Sequence, residues 1–425
     1  MTSPKAPPRR ELSRFDLVCL GVNAVVGSSI FLFPGRLAGH LGSASPAAYA
    51  LTALLLAPVA LCFAEASSEH DRAGGPALYA HTEFGPDWGF AIGWLCWITM
   101  IVSWAAVANG IASYLPWAAG RPAIGKAVAC LAIASFGALN WRGVRLGAWT
   151  TDFFTVAKLV PISLIALAGL YALPAWRPEP TPEGWRPLGA ACFLAYFAYQ
   201  GFETVPVPAG EARDPKRDVP FAVLTALIGS AVLYILVQIA ALSLVPGLAA
   251  SERPLADAAG ALMGPFGAAL VTAGAVISMT GYVAGSALGG PRYLVALAEE
   301  GHLPKALAAS HPRFGTPSAS ILWSTGVALV AALLLDFNGL VDFSNVVIGA
   351  QFLSTCAVVL VRRARRGGKG RRPFLGALVP LAGIGATLWL GAQGGWMQVA
   401  ASAAVLAAGF ALRAGARAYS RGRPT

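Results

Sequence analysis

Charged residues are scarce along this chain, and their scarcity excludes an ordinary soluble protein. Of the 425 residues only 12% are Asp, Glu, Lys or Arg, whereas 56% are hydrophobic. A typical soluble domain carries about 25% charged residues. Apolar stretches of about 20 residues, long enough to cross a bilayer core of roughly 30 Å, recur along the whole length. The composition therefore predicts an all-α integral membrane protein without a separate soluble domain.

The residue patterns that mark catalytic and metal centres are also missing. The six cysteines form no CxxC pair, so we expect neither a disulfide nor a metal cluster. The five histidines come without an HExxH, GxSxG or P-loop pattern. Glu69, His70 and Asp71 are neighbours in one loop, where side chains rarely converge on an ion, and a solvated loop is favoured. We expect no enzyme, no cofactor and no metal.

Hydropathy and helix breakers together predict about twelve membrane-spanning helices. The predicted ranges are 15–41, 44–66, 88–116, 123–140, 149–173, 186–210, 218–246, 266–290, 317–335, 340–361, 374–391 and 395–412. The last two are separated by the very short turn 391–395, where a re-entrant hairpin is an alternative.

The net charge of +11 is explained by its placement rather than by a nucleic-acid partner. Most of the 31 lysines and arginines fall in alternate loops, which is the positive-inside pattern and places both termini in the cytoplasm. The run from Arg362 to Arg372 is interpreted as a topology-setting loop rather than a site for anionic lipid headgroups. We expect a multi-pass protein of the cytoplasmic (inner) cell membrane that contacts the lipid bilayer and no nucleic acid.

Of the ionisable residues inside or near the ends of predicted spans, three matter most: Lys158, Glu203 and, closer to an interface, Glu65. A charge at bilayer depth costs at least about 2.5 to 3.5 kcal/mol, so a charged residue kept there is a functional candidate.

The first span contains the polar break Gly27-Ser28-Ser29. Glycine destabilises a helix interior by roughly 1 kcal/mol, and serine hydroxyls compete for backbone groups. Unwinding would expose the N–H groups of Ser28, Ser29 and Ile30 at the positive end of the half-helix that follows, a natural carboxylate site. Taken alone, the segment favours the alternative of tight helix packing through small residues.

The sixth span contains a second break, 199–203, which reads Tyr-Gln-Gly-Phe-Glu and is followed by Pro206 and Pro208. Carbonyl groups freed around Phe197 and Ala198 are suited to an ammonium group. Within a bilayer, unwound backbone persists only where it lines a cavity. Two opposed half-helix ends, one offering N–H and the other C=O groups, match a zwitterionic amino acid.

In these segments the chain resembles the amino acid-polyamine-organocation (APC) superfamily of transporters. Further similar stretches are Glu65 closing the second span, 74–79 with Gly93-Trp94, 211–215, and Arg292 leading to 300–304. The similarity runs from about residue 15 to residue 361, and the order of the motifs is more specific than any single one.

The resemblance implies a LeuT-type fold: a 5+5 inverted repeat with unwound helices 1 and 6, followed by two C-terminal helices, working by alternating access. The corresponding divisions are a cytoplasmic tail 1–14, a first repeat 15–173, a second repeat 186–361, the last two helices 374–412 and a cytoplasmic tail 413–425.

The resemblance also implies a substrate site. The carboxylate would bind at Gly27, Ser28, Ser29 and Ile30, and the amino group would bind main chain at Val25, Phe197 and Ala198, with Tyr199 and Gly201 completing the site. Phe197 falls where the family often has an aromatic gate. The family usually has Gly-Ser-Gly at the first break, so Ser29 is a departure that leaves the size of the substrate open.

Lys158 resembles the lysine of the fifth helix that replaces a sodium ion in sodium-independent members. We therefore expect sodium-independent transport; the alternative is a lysine that snorkels to the interface. Glu203 is either a proton-responsive carboxylate or a brace that caps freed N–H groups. Both alternatives remain open for each residue.

These expectations describe a secondary amino acid transporter that is proton-linked or exchanges substrates. No arginine and no acidic residue besides Glu203 approaches the predicted pocket, which favours a neutral amino acid. The alternatives are a polyamine or amine carrier on the same fold and a non-transporting nutrient receptor. No covalently tethered subunit is expected, since no extracellular cysteine is placed for one.

Overall fold

The computed structural model describes residues 12–118, 120–143, 148–179, 181–365 and 373–421, and only the backbone of 148–158, 373–375 and 419–421. Lys158 therefore has a described backbone, within a helix, but its side chain lies outside the described part. Within these ranges the regular structure is helical, apart from one isolated bridge between Leu12 and Ala212.

Fourteen α-helices are found in the described ranges, joined in places by short 3-10 turns. They are α1 (Arg14–Val25), α2 (Ser29–Leu41), α3 (Pro46–Ser68), α4 (Gly75–Phe84), α5 (Pro86–Ile111), α6 (Pro122–Trp141), α7 (Ala148–Ala172), α8 (Leu188–Ala198), α9 (Pro215–Leu244), α10 (Pro254–Glu299), α11 (Ser318–Leu334), α12 (Phe337–Arg365), α13 (Pro373–Gly391) and α14 (Trp396–Arg421). Each predicted span overlaps at least one of them, and α4 falls between two predicted spans.

Seven helices in the described ranges are long and apolar enough to cross a membrane: α3, α5, α6, α9, α10, α12 and α14. The pair α1 and α2, bent by 45° at their break, makes an eighth if counted as one span. Shorter apolar helices lie within α7, α11 and α13. About 20 helical residues cover 30 Å, so these lengths fit a multi-pass membrane protein, while the number twelve stays a prediction.

Helix starts follow local sequence signals. Ser13 caps α1 in a capping box, in which the Ser13 N–H donates to Asp16 Oδ2 at 2.7 Å and the Asp16 N–H donates to Ser13 Oγ at 3.3 Å. Proline occupies the first position of α3, α5, α6, α9 and α10. An N–H group at this position has no partner within the helix, so proline, which lacks it, costs no hydrogen bond there.

Two predicted spans need correction. In the range 186–210, α8 stops at Ala198, where the second break was predicted, but no α-helix resumes within the span: only 3-10 turns at Phe202–Thr204 and Ala209–Glu211 follow before α9. Pro206 and Pro208 lack the N–H groups that a continuing helix would use. The range 266–290 is too short, since α10 runs from Pro254 to Glu299 with a kink at Gly264, whose φ is 69°.

The helices pack in two groups around the breaks. In the first group α9 packs against α1, α2 and α3, and α8 packs against α2 and α3. In the second group α5, α6, α10 and α11 pack against one another. The helix α12 contacts both groups, through α3 and α8 on one side and α5 on the other. The two broken segments thus belong to the same group.

Candidate functional site

The two predicted breaks lie against each other in the folded chain. Gly201 has a φ of +132°, and a Cβ built on it would stand 2.5 Å from the carbonyl carbon of Ala24 and 2.6 Å from the nitrogen of Val25. No side chain fits there, so glycine lets the second break touch the backbone of the first.

The first break ends at the N-terminus of α2. Gly27 N–H donates to Val25 O at 2.8 Å, and the first bonds at the start of α2 run from Phe31 and Leu32 to Ser28 O at 3.1 and 3.2 Å. The N–H groups of Ser29 and Ile30 precede these bonds and have no acceptor within the helix. They lie at the positive end of the helix dipole, which suits an anion.

Ser28 offers a further donor at the same place. The residue is 1% exposed, and its Oγ has no hydrogen-bond partner among the residues that the structure describes. The space beside Gly27 is open, since a Cβ built there would meet its nearest neighbour, Val25 O, at 4.0 Å. A buried hydroxyl without a partner, next to free N–H groups and open space, is typical of a site that a ligand completes.

Carbonyl groups from both breaks converge on Tyr234 of α9. The Tyr234 hydroxyl lies 2.8 Å from Val25 O and 2.9 Å from Ala198 O. One hydroxyl has one proton, so it can donate to only one of the two carbonyls at a time. Ser29 Oγ lies 3.4 Å from the same hydroxyl. The two carbonyls thus share the Tyr234 hydroxyl, and Val25 O also accepts the Gly27 N–H at 2.8 Å.

Phe197, by contrast, does not offer a free carbonyl in this structure. Its oxygen accepts the Gln200 N–H at 3.2 Å, because the chain tightens into a 3-10 turn after α8. Its ring lies with those of Phe33 and Phe337 in a cluster, with centroid separations of 6.0, 6.2 and 6.5 Å. Arg36 stacks over Phe337 and hydrogen bonds to Asn338. The three rings thus pack together beside the end of α8.

Glu203 is buried, with 6% exposure, and turns back onto its own break. Its two carboxylate oxygens accept the Gly201 N–H at 3.0 and 2.8 Å. The carboxylate therefore caps a backbone group that the break has freed, as the brace interpretation requires.

Gln200 anchors the second break to α12 and, through Ser344, to α5. Its Nε2 donates to Asn345 Oδ1 at 2.7 Å, and Ser344 Oγ donates to Gln200 Oε1 at 2.8 Å. Ser344 in turn lies 3.1 Å from the hydroxyl of Ser103 on α5. Asn345 also donates to Phe193 O at 2.7 Å. This amide network was not anticipated; polar residues in otherwise apolar spans were its only sequence signal.

Tyr199 takes part in packing. Its hydroxyl donates to Tyr49 O at 2.9 Å, and its ring contacts those of Tyr49 and Tyr234. Tyr234 itself was missed by the sequence reasoning, although a tyrosine in the middle of the aliphatic segment 231–241 is a visible signal.

Away from the breaks, the arginines at the end of α12 are paired rather than free. Arg362 contacts Glu69 and Glu83, both at 2.9 Å, and Arg363 pairs with Glu65. These pairs tie α12 to α3 and α4.

In the described ranges two interrupted helices meet at their breaks, and interrupted helices are a feature of secondary transporters. The chain belongs to the amino acid permease family, whose sequence model matches residues 12–411. The resemblance to APC-type amino acid transporters is thereby confirmed. The family is one of multi-pass membrane transporters.

Individual relatives cover most of the chain. It is 29% identical over 410 residues to an uncharacterized transporter of Mycobacterium tuberculosis (strain ATCC 25618 / H37Rv), covering 95% of this chain and 90% of that protein. It is 26% identical over 380 residues to a serine/threonine exchanger of Bacillus subtilis (strain 168), covering 85% of each. It is 29% identical over 384 residues to cationic amino acid transporter 4 of Mus musculus, covering 83% of this chain and 60% of that protein. The names of these relatives give different substrates, serine and threonine for one and cationic amino acids for another.

Proposed function

We propose that the protein is a sodium-independent secondary transporter that carries neutral amino acids across the cell membrane by alternating access. Transport is linked to protons or proceeds by exchange, and both termini lie in the cytoplasm. The observation that carries the proposal is the meeting of the two breaks, with the N–H groups that begin α2 on one side and the two carbonyls that share the Tyr234 hydroxyl on the other.

The carboxylate of the substrate binds at the start of α2. The N–H groups of Ser29 and Ile30 and the unpartnered hydroxyl of Ser28 supply donors, and the open space beside Gly27 admits the group. Hydrogen bonds to a carboxylate are stronger than those between neutral groups, so this end supplies much of the orientation.

The amino group binds at the carbonyls of Val25 and Ala198. An ammonium group has three N–H donors, enough to serve both carbonyls that now share the Tyr234 hydroxyl. When no substrate is present, the Tyr234 hydroxyl bridges these two carbonyls and holds the two breaks at a fixed separation. Gly201 keeps them close enough for one small amino acid to reach both.

The side-chain pocket favours a neutral substrate. Phe33, Phe197 and Phe337 form an apolar wall beside the amine end. Glu203 is engaged by Gly201 N–H, which leaves this carboxylate poorly placed to hold a second ammonium group.

The packing of the helices supports a 5+5 repeat. Predicted spans one and two group with spans six and seven, and spans three and four group with eight and nine, an offset of five in each case. Rocking of one group against the other is the usual route to alternating access in such folds. Lys158 of α7 takes the place of a coupling sodium ion in this proposal.

Counterflow into liposomes that contain the purified protein tests the proposal. We expect labelled alanine, serine or leucine to accumulate against an unlabelled internal pool, equally well with sodium or choline outside. Lysine, glutamate and putrescine serve as charged comparisons. Accumulation of putrescine alone would favour the amine carrier, and substrate binding without counterflow would favour the receptor. A requirement for sodium would refute the role given to Lys158.

A further inference from the structure

Two histidines and a glutamate from distant parts of the sequence converge at one end of the helices. His81 lies in the last turn of α4, Glu300 directly follows α10, and His302 lies in the turn after it. Each offers one ligand atom, and the three atoms lie within 4.8 Å of one another. With the termini cytoplasmic, the cluster faces the cytoplasm.

His302 is the buried member of the cluster. The residue is 4% exposed, and its ring packs against Phe90 at 5.5 Å between centroids. In the part of the chain that the structure describes, its Nε2 is buried without a hydrogen-bond partner, and Glu300 Oε2 is 3.5 Å away. A buried ring nitrogen without a partner, facing a carboxylate and a second imidazole, indicates a missing ligand.

The donor set is that of a transition-metal site. Two imidazoles and one carboxylate hold zinc in many three-ligand centres, with a fourth position open to water. Ligand atoms around tetrahedral zinc lie about 3.4 Å apart, given bonds near 2.1 Å. His81 and Glu300 are exposed and can rotate to close the remaining gap.

The charges around the cluster are close to balanced before a metal binds. Arg413 and Arg417 lie 2.6 and 3.8 Å from Asp87, and Arg413 also stacks over the Phe90 ring at 4.8 Å. Asp87 and Glu300 thus offset the two arginines, so an added divalent cation does not enter a strongly positive region.

We propose that His81, Glu300 and His302 bind a divalent transition-metal ion, with Zn²⁺ preferred, that ties α4 to the end of α10. This replaces the sequence-based expectation of no metal. Motif spacing could not have found the site, because α5 to α10 separate its ligands along the chain.

Zinc titration of the full-length protein in nanodiscs, after treatment with a chelator, tests the proposal. We expect one Zn²⁺ per chain by calorimetry. His81→Ala and Glu300→Gln should each weaken binding at least about tenfold, the smaller effect known for outer-shell partners of metal sites. Both residues are exposed, so the substitutions spare the fold, whereas His302 is buried. His40→Ala, at the end of α2, is the matched control and should bind as the unaltered protein does.

Two further measurements, the absorption of bound Co²⁺ and the melting temperature, test the site without relying on affinity. Co²⁺ should give the visible absorption of a four-coordinate nitrogen and oxygen site, and His81→Ala should abolish it. Zinc should also raise the melting temperature of the unaltered protein more than that of His81→Ala. The proposal is overturned if the His81→Ala/Glu300→Gln double variant binds zinc as tightly as the unaltered chain, or if neither chain binds it.

Discussion

The two breaks are built differently, although they meet at one site. After the first break the helix resumes within three residues as α2, whereas after the second no α-helix forms until α9 begins at Pro215. The first break therefore ends at a helix N-terminus. The second break is a longer segment without α-helix. Side-chain hydrogen bonds of Glu203 and Gln200 hold this segment in place.

The glycines of the two breaks show the same contrast. A Cβ at Gly27 would have no neighbour closer than 4.0 Å, and one at Gly201 would overlap the backbone of Ala24 and Val25. The glycine of the first break leaves room for a ligand, and the glycine of the second permits contact between the breaks.

The largest effect is expected from Gly201→Ala. The substitution forces a side chain into positive φ and into backbone atoms 2.5 Å away, so it should destabilise the protein by about 2 to 6 kcal/mol. Thermal unfolding in detergent and counterflow would report the loss, and transport should disappear.

Gly27→Ala is the matched comparison for that variant. Its methyl group enters open space, so the free energy of unfolding should change by about 1 kcal/mol or less while substrate binding weakens. If both variants were equally unstable, the contrast between the two glycines would be wrong.

Tyr234→Phe should have the next largest effect, because it removes the donor that links the breaks. Leaving two buried carbonyls without this hydroxyl should lower stability by about 1 to 3 kcal/mol. If the substrate amine serves the same carbonyls, a saturating substrate should raise the melting temperature of Tyr234→Phe more than that of the unaltered protein.

Tyr49→Phe is the control for this prediction. The ring of Tyr49 stacks on that of Tyr234 at 5.1 Å, but within the described ranges its hydroxyl has no hydrogen-bond partner. Its loss should leave both stability and the substrate-induced shift nearly unchanged. An equal substrate-induced shift in all three proteins would place the amine elsewhere.

The sequence predicts those parts of the site that are marked by neighbouring residues in the chain, and it does not predict those that depend on residues of distant helices. Gly27 to Ser29 and Gln200 to Glu203 are local signals, since glycine and polar residues within apolar spans indicate unwinding on their own. Tyr234 and Asn345 act on the breaks from α9 and α12, so only folding reveals their roles. The same holds for His81 and His302. The end of α8 agrees with the predicted break, whereas the absence of α-helix from there to α9 was not expected, because Pro206 and Pro208 were interpreted as disturbing the helix rather than ending it.

Glu203→Gln examines how the second break is held. Glutamine keeps a carbonyl oxygen for the Gly201 N–H but loses the charge, so stability should fall by about 1 kcal/mol, the difference between charged and neutral hydrogen bonds. As a brace, Glu203 should leave the pH profile of counterflow unchanged. Glu203→Ala, which leaves the N–H unpaired, should cost more stability. Loss of pH dependence in Glu203→Gln would instead make this residue the proton site.

Ser28→Ala should have the smallest effect on the fold and a selective one on the ligand. Its hydroxyl is buried without a partner in the described part of the chain, so removing it should be nearly neutral for stability. Losing a hydrogen bond to the substrate carboxylate should weaken binding by about 1 kcal/mol, roughly fivefold. Ser230→Ala removes an equally buried, equally unpartnered hydroxyl from α9 and should leave the affinity unchanged. Because the two serines differ mainly in their distance from the start of α2, equal affinities in both variants would mean that the first break does not hold the carboxylate.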